Sequence, residues 1–126
     1  MVQTVVLEDH KLYRLGVKYV FDNSPDIYMA GEADCGTELF GLLARTMVDI
    51  VLLCVNLPNT IGYVDITSRL RRDYPRLKIL AVASENTAEI IQSMMKEGIN
   101  GYIGKRQASR SELTNAVRKI ASLCST

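Results

Sequence analysis

The chain has 126 residues, the size of one domain and enough to bury a single core without metal or disulfide support. Hydrophobic residues at 48% and charged residues at 23% exclude disorder and low complexity. Fifteen basic against fourteen acidic residues leave a net charge of +1, too weak a field to grip nucleic acid or anionic lipid directly.

The start, Met1-Val2-Gln3-Thr4, has no basic region ahead of an apolar stretch, so no signal peptide is expected. Val5-Val6-Leu7 is the first predicted strand, followed by Glu8-Asp9-His10. Tyr13, Gly16, Val17 and Val20 recur at helical spacing, and Pro25 closes that segment. Ile27 to Ala30 is the second strand, and Leu39, Leu42 and Leu43 mark the second helix. Ile50 to Val55 is apolar on both faces, as a central parallel strand should be. Ile66 and Leu70 mark a third helix ending before Pro75, and Ile79 to Val82 the fourth strand. Ile91, Met94 and Met95 line a fourth helix, with Asn86 and Glu89 as its expected capping box and Gly98 as its stop. Tyr102-Ile103 is the fifth strand. Leu113, Ala116, Val117 and Ile120 line the last helix, opened by Ser109 with Glu112 three residues on. Strict alternation of strand and helix predicts an α/β fold with a doubly wound five-stranded parallel sheet.

Three cysteines, Cys35, Cys54 and Cys124, are odd in number and form no CxxC pair. That excludes a disulfide framework or a zinc site and points to a reducing compartment. No apolar stretch is long enough to cross a membrane. The expectation is a cytoplasmic domain.

Ligands of open α/β sheets bind beyond the carboxyl ends of the strands, where strand order reverses. For the order 2-1-3-4-5 the residues delivered there are Glu8, Asp9, His10, Cys54, Ala83-Ser84 and Lys105. Two adjacent carboxylates facing a lysine suit a divalent cation plus an anion. A nucleotide or flavin is excluded, because Glu8-Asp9-His10-Lys11 offers two negative charges and no glycine to a phosphate.

The matching pieces Val5 to His10, Gly31-Glu32-Ala33, Asp49 to Leu53, Leu57-Pro58 and Gly101 to Lys105 occur in order along the whole chain. With them the sequence resembles the receiver domain of response regulators, the CheY-like (βα)5 fold of two-component signalling. It is closest to receivers of NarL/LuxR-type transcription regulators. The resemblance implies a receiver over residues 1–126, with DNA contacted only through a C-terminal helix-turn-helix domain outside this chain. It also implies a sensor kinase or another regulator as partner. By position, Glu8 and Asp9 match the family's cation-holding acid pair, Lys105 its phosphoryl-binding lysine and Tyr102 its switch aromatic. Two positions depart: Cys54 stands where the family has its phosphoacceptor aspartate, and Ala83 where it has a Ser/Thr. Around Asn59-Thr60-Ile61 the loop also departs from the usual Gly-x-Asp pattern. Ser84 adjoins the missing hydroxyl, but a slip of one residue along a strand turns a side chain to the other face.

A thiol cannot supply the oxygens that bridge a cation and form an acyl phosphate, so the expected function is an atypical receiver that signals without aspartyl phosphorylation. Mg²⁺ binding is then weak or absent, with one carboxylate fewer, and no other cofactor and no catalysis are expected. Cys54 reads first as a small buried residue finishing a strand; the rival reading is a redox-sensing thiol. His10 has no partner ligands for a metal. The basic residues Arg69, Arg71, Arg72, Arg76 and Lys78 read as decoration of a helix end. Leu15 and Tyr19, spaced i,i+4 on the outer face of the first helix, are the expected patch of a homodimer.

Overall fold

The computed structural model describes residues 1–56 and 61–123. Strands and helices alternate along them as β1 (Val2–Leu7), α1 (Lys11–Asp22), β2 (Ile27–Ala33), α2 (Gly36–Leu43), β3 (Ile50–Val55), α3 (Ile61–Asp73), β4 (Lys78–Ala83), α4 (Ala88–Glu97), β5 (Gly101–Gly104) and α5 (Arg110–Ala121). The strands pair in parallel in the order β2-β1-β3-β4-β5. This is the doubly wound sheet expected from the alternation. The Leu57 to Thr60 part of the loop and Cys124 lie outside the described residues.

Every residue of β3 is buried, and the period of two divides its side chains between two cores. Ile50, Leu52 and Cys54 join Val6, Leu80 and Val82 beneath α1 and α5, where Val17, Phe21, Leu113, Val117 and Ile120 close the layer. Val51, Leu53 and Val55 join Val5, Leu7, Ile79 and Ala81 beneath α2, α3 and α4. Each fully buried Leu or Ile contributes about 1.5–3 kcal/mol of burial free energy. A polar third strand could not occupy this place.

Three local expectations need correction. The cap of α4 is Thr87, not Asn86: Asn86 has a left-handed φ of 63°, and no side chain caps the helix. Thr87 instead donates its hydroxyl to the Ser84 carbonyl at 2.6 Å. In α1 the core side chains are Val17 and Phe21, while Gly16 is exposed. In α4 they are Ile91 and Met94, and Met95 faces outward. Ser109 does cap α5, accepting from the Glu112 N–H. Gly98 ends α4 with a φ of 109°, a conformation glycine adopts without a Cβ penalty. The Arg71 side chain lies against it, donating to the Gly98 carbonyl at 2.8 Å. Arg71 also donates to the Pro75 and Leu77 carbonyls, so it ties loops together rather than facing a ligand. Lys78 is buried within β4.

Candidate functional site

Glu8 continues the alternation of β1 onto the face of Val6, which carries its carboxylate into the interior between α1 and β3. It is fully buried. A buried carboxylate needs partners, because removing charge from water without them costs several kcal/mol. Glu8 has them. The Lys105 ammonium, delivered by the end of β5, lies 3.3 Å from Glu8 Oε2. Glu8 Oε1 accepts the Asn56 amide at 2.9 Å and the His10 N–H at 3.0 Å. The buried Cys54 thiol lies on the same sheet face, and the Glu8 charge raises its pKa.

Asp9, one residue on, falls on the other side of the alternation and is exposed. Its Oδ1 accepts from the same Asn56 amide at 3.2 Å. Asn56 Oδ1 in turn accepts from Lys105 at 2.9 Å. One amide thereby joins both acids to the lysine. Lys105 also sits 4.0 Å over the Tyr13 ring, a cation–π contact. Arg14 donates to the Glu8 carbonyl at 2.7 Å, so the first turns of α1 are tied to the same residue.

Burial is the main cause that pushes the Cys54 thiol well above its ordinary pKa. The charge of Glu8 and the hydrogen bond to it act in the same direction, and Lys105 opposes them. Tyr13 is pushed up to about 12, first by burial and then by Cys54 and Glu8. Tyr63 is raised as well, again chiefly by burial. Three protons are therefore held firmly around this site.

The site opens on a cavity of about 730 Å³ lined in part by Asp9, His10, Tyr13, Asn56, Ser84 and Lys105. Ala83 does not line it. Ala83 pairs in register with Val55, on the sheet face opposite Cys54, and borders a neighbouring cavity with Tyr102 and Met95. Ser84 is the hydroxyl at the cavity, but that hydroxyl donates to the Val55 carbonyl at 2.7 Å, as does the Ser84 N–H. An anion would have to break that bond to recruit it. Tyr102 is exposed on β5.

The residues present fit a hard divalent cation poorly. Mg²⁺ needs near-octahedral oxygen donors. Here Glu8 is engaged by a lysine, an amide and the His10 N–H, and the third position is sulfur with its proton held on.

The site thus brings together Glu8, Asp9, Cys54 and Lys105 as the sequence led us to expect. Asn56 and Tyr13 complete it, the one bonding Glu8 and Lys105, the other under the lysine. Asn56 was findable: two residues beyond Cys54, it shares that strand face by alternation. Tyr13 shows in the sequence only its helical spacing, which carries no sign of the lysine that stacks on it.

Set against known proteins, residues 4–118 match the response regulator receiver domain. The chain belongs to that family. Its relatives include the response regulator GacA of Pseudomonas aeruginosa, 29% identical over 95% of this chain and 55% of that protein. The transcriptional regulatory protein DegU of Brevibacillus brevis is 28% identical over 95% of this chain and 50% of its own length. The receiver thus spans about half the length of these relatives. Among solved structures, the receiver domain of NarL from Mycobacterium tuberculosis superposes with a TM-score of 0.83 at 27% identity, covering 95% of each chain. A LuxR-family regulator from Aurantimonas shares the fold with a TM-score of 0.85 at 23% identity, over 97% of this chain and 86% of that one. No described helix is long and apolar enough to cross a membrane.

Proposed function

We propose that this receiver regulates a transcription output through protein contacts and homodimerisation, without aspartyl phosphorylation. The observation that carries the reading is Cys54. At the phosphoacceptor position stands a buried thiol whose pKa is pushed up by burial and by Glu8, beside a lysine already bonded to Glu8 and Asn56. No carboxylate oxygen is there to take a phosphoryl group, and the cation that would assist has no free acid pair.

The parent protein, by its likeness to the longer relatives, contacts DNA through a C-terminal helix-turn-helix domain and works in the cytoplasm. It answers to a sensor kinase or another regulator. The receiver itself is not an enzyme and holds no cofactor. Tyr102, exposed on β5, serves as the aromatic that reports a change of state, and the exposed Leu15 and Tyr19 on α1 supply the dimer contact. The rival reading, a redox-sensing Cys54, is disfavoured by the same geometry. A sensing thiol is accessible and inclined to ionise, whereas Cys54 is neither.

The test is direct. Protein incubated with acetyl phosphate and Mg²⁺ is expected to keep its intact mass. A phosphoaspartyl adduct mapped to this pocket would overturn the proposal.

A further inference from the structure

Asn56 stands between a lysine and two acids in an arrangement that a salt bridge alone does not require. Its Oδ1 accepts from Lys105 Nζ at 2.9 Å. Its Nδ2 donates to Glu8 Oε1 at 2.9 Å and to Asp9 Oδ1 at 3.2 Å. Only one orientation of the amide satisfies all three, because an ammonium only donates and a carboxylate only accepts. The Asn56 carbonyl carbon is one C=O bond beyond Oδ1, so Lys105 Nζ lies within about 4.1 Å of it. Glu8 reaches both nitrogens, with Oε2 3.3 Å from Nζ and Oε1 2.9 Å from Nδ2. Its carboxylate is fully buried, and the Tyr13 ring packs 4.0 Å from the same ammonium. A nucleophile, an acyl carbon carrying an amine, and a carboxylate within reach of both nitrogens are the parts of an intramolecular aminolysis.

We propose that Lys105 and Asn56 become joined by an isopeptide bond, which the chain forms by itself with Glu8 carrying the protons. Lys105 first gives a proton from Nζ to Glu8 Oε2. The free amine swings from Oδ1 to the Asn56 carbonyl carbon and attacks it, forming the Nζ–Cγ bond. The Glu8 carboxyl group then gives its proton to Nδ2 and takes one from Nζ, and the Cγ–Nδ2 bond breaks. Ammonia leaves into the cavity bordered by Asp9, His10 and Ser84. There it takes the remaining proton from Glu8 and departs as ammonium, so the carboxylate is restored. One ammonium and one primary amide have become a secondary amide and an ammonium ion, with no oxidant and no cofactor. Holding the amine against the acyl carbon replaces a bimolecular encounter with an intramolecular one, and a carboxylate in hydrogen-bond reach supplies general acid–base assistance. The product ties the end of β3 to the end of β5 across β4, which lies between them in the sheet. The inference does not rest on the signalling reading, although a linked Lys105 has no ammonium left to offer a phosphoryl group.

Intact mass under denaturing conditions, followed by tryptic mapping, tests this on the whole chain sampled while it is kept folded. The wild type is expected to become lighter than its sequence mass by one ammonia. Trypsin does not cut after an acylated lysine, so the map is expected to hold a branched peptide joining residues 46–69 to residues 97–106. Lys105→Arg removes the nucleophile and Asn56→Ser the acyl carbon, and both are expected to keep their full sequence mass. Glu8→Asp keeps the charge but draws the carboxylate back from both nitrogens, and it is expected to link at least about tenfold more slowly. A wild-type chain still at full mass after prolonged incubation overturns the proposal. So does ammonia lost within the 46–69 peptide alone, the mark of a cyclic imide at Asn56. Linking of Glu8→Asp at the wild-type rate overturns the part given to Glu8.

Discussion

Cys54 gains its character from its neighbours rather than from its type. Alternation along β3 turns it toward α1 and α5, where it is buried beside the Glu8 carboxylate. The thiol, Tyr13 and Tyr63 all have raised folded-state pKa values. In the unfolded chain a thiol loses its proton near about pH 8.5 and a phenol near about pH 10. Above those values the folded chain binds more protons than the unfolded one, so stability is full below about pH 8.5 and falls as pH rises past it. Urea midpoints across this range are expected to decline with pH. Cys54→Ala is expected to delay the decline until the tyrosines begin to titrate, near about pH 10. An equally early decline in that variant would show that the thiol is not held protonated.

At the scale of elements, the end of β4 decides how the pocket can respond. Ser84 is tied to the Val55 carbonyl by both its N–H and its hydroxyl, and Thr87 ties the next turn back to Ser84. Ala83 offers only a methyl. A restored aspartate would therefore add a third carboxylate to the acid pair and present phosphoryl oxygens to Lys105 and to a cation those acids would then hold, but to no ready hydroxyl on β4. A hydrogen bond to a charged group is worth about 1.5–3 kcal/mol, and a ligand shifts an equilibrium only by its differential affinity for the two states. Cys54→Asp treated with acetyl phosphate is expected to phosphorylate slowly with little conformational response. Adding Ala83→Thr is expected to enlarge the response, read from NMR shifts around Tyr102. Equal responses would mean that Ser84 leaves Val55 and supplies the hydroxyl itself.

For the molecule as a whole, β3 is the shared wall of two cores, and its side chains hold helices on both faces of the sheet. Leu52 is fully buried at its centre. Leu52→Ala is expected to cost about 2–5 kcal/mol, from lost transfer free energy plus the cavity left behind. The urea midpoint should fall by the matching amount at an unchanged slope. A loss well below that range would mean that α1 and α5 collapse into the space. Across the open end of the sheet, Arg106 on the β5–α5 loop pairs with Glu85 on the β4–α4 loop. The two loops that border the pocket are thus joined at the surface as well as through the sheet.

Chain-local chemistry was enough to order the elements. The apolar run at Ile50 to Val55, helical spacing in the segments between strands, Gly98 and the Ser109–Glu112 pair each act through nearest neighbours and need no tertiary contact to be read. Placement of Glu8, Asp9, Cys54 and Lys105 at one end of the sheet followed from strand order, since parallel strands deliver their carboxyl ends together. Contacts distant in sequence decided the rest. Asn86 has the composition of a cap, yet the Thr87–Ser84 bond and a left-handed φ set the start of α4 one residue later. Met95 and Gly16 sit at helical spacing but fall at the edge of the apolar arc, where the rotation of the helix on the sheet chooses inside from outside. The network at Glu8 depends on residues separated by up to 97 positions. Only the folded chain brings the Lys105 ammonium and the Asn56 amide to one buried carboxylate, because a charge without water must recruit partners from wherever the fold supplies them.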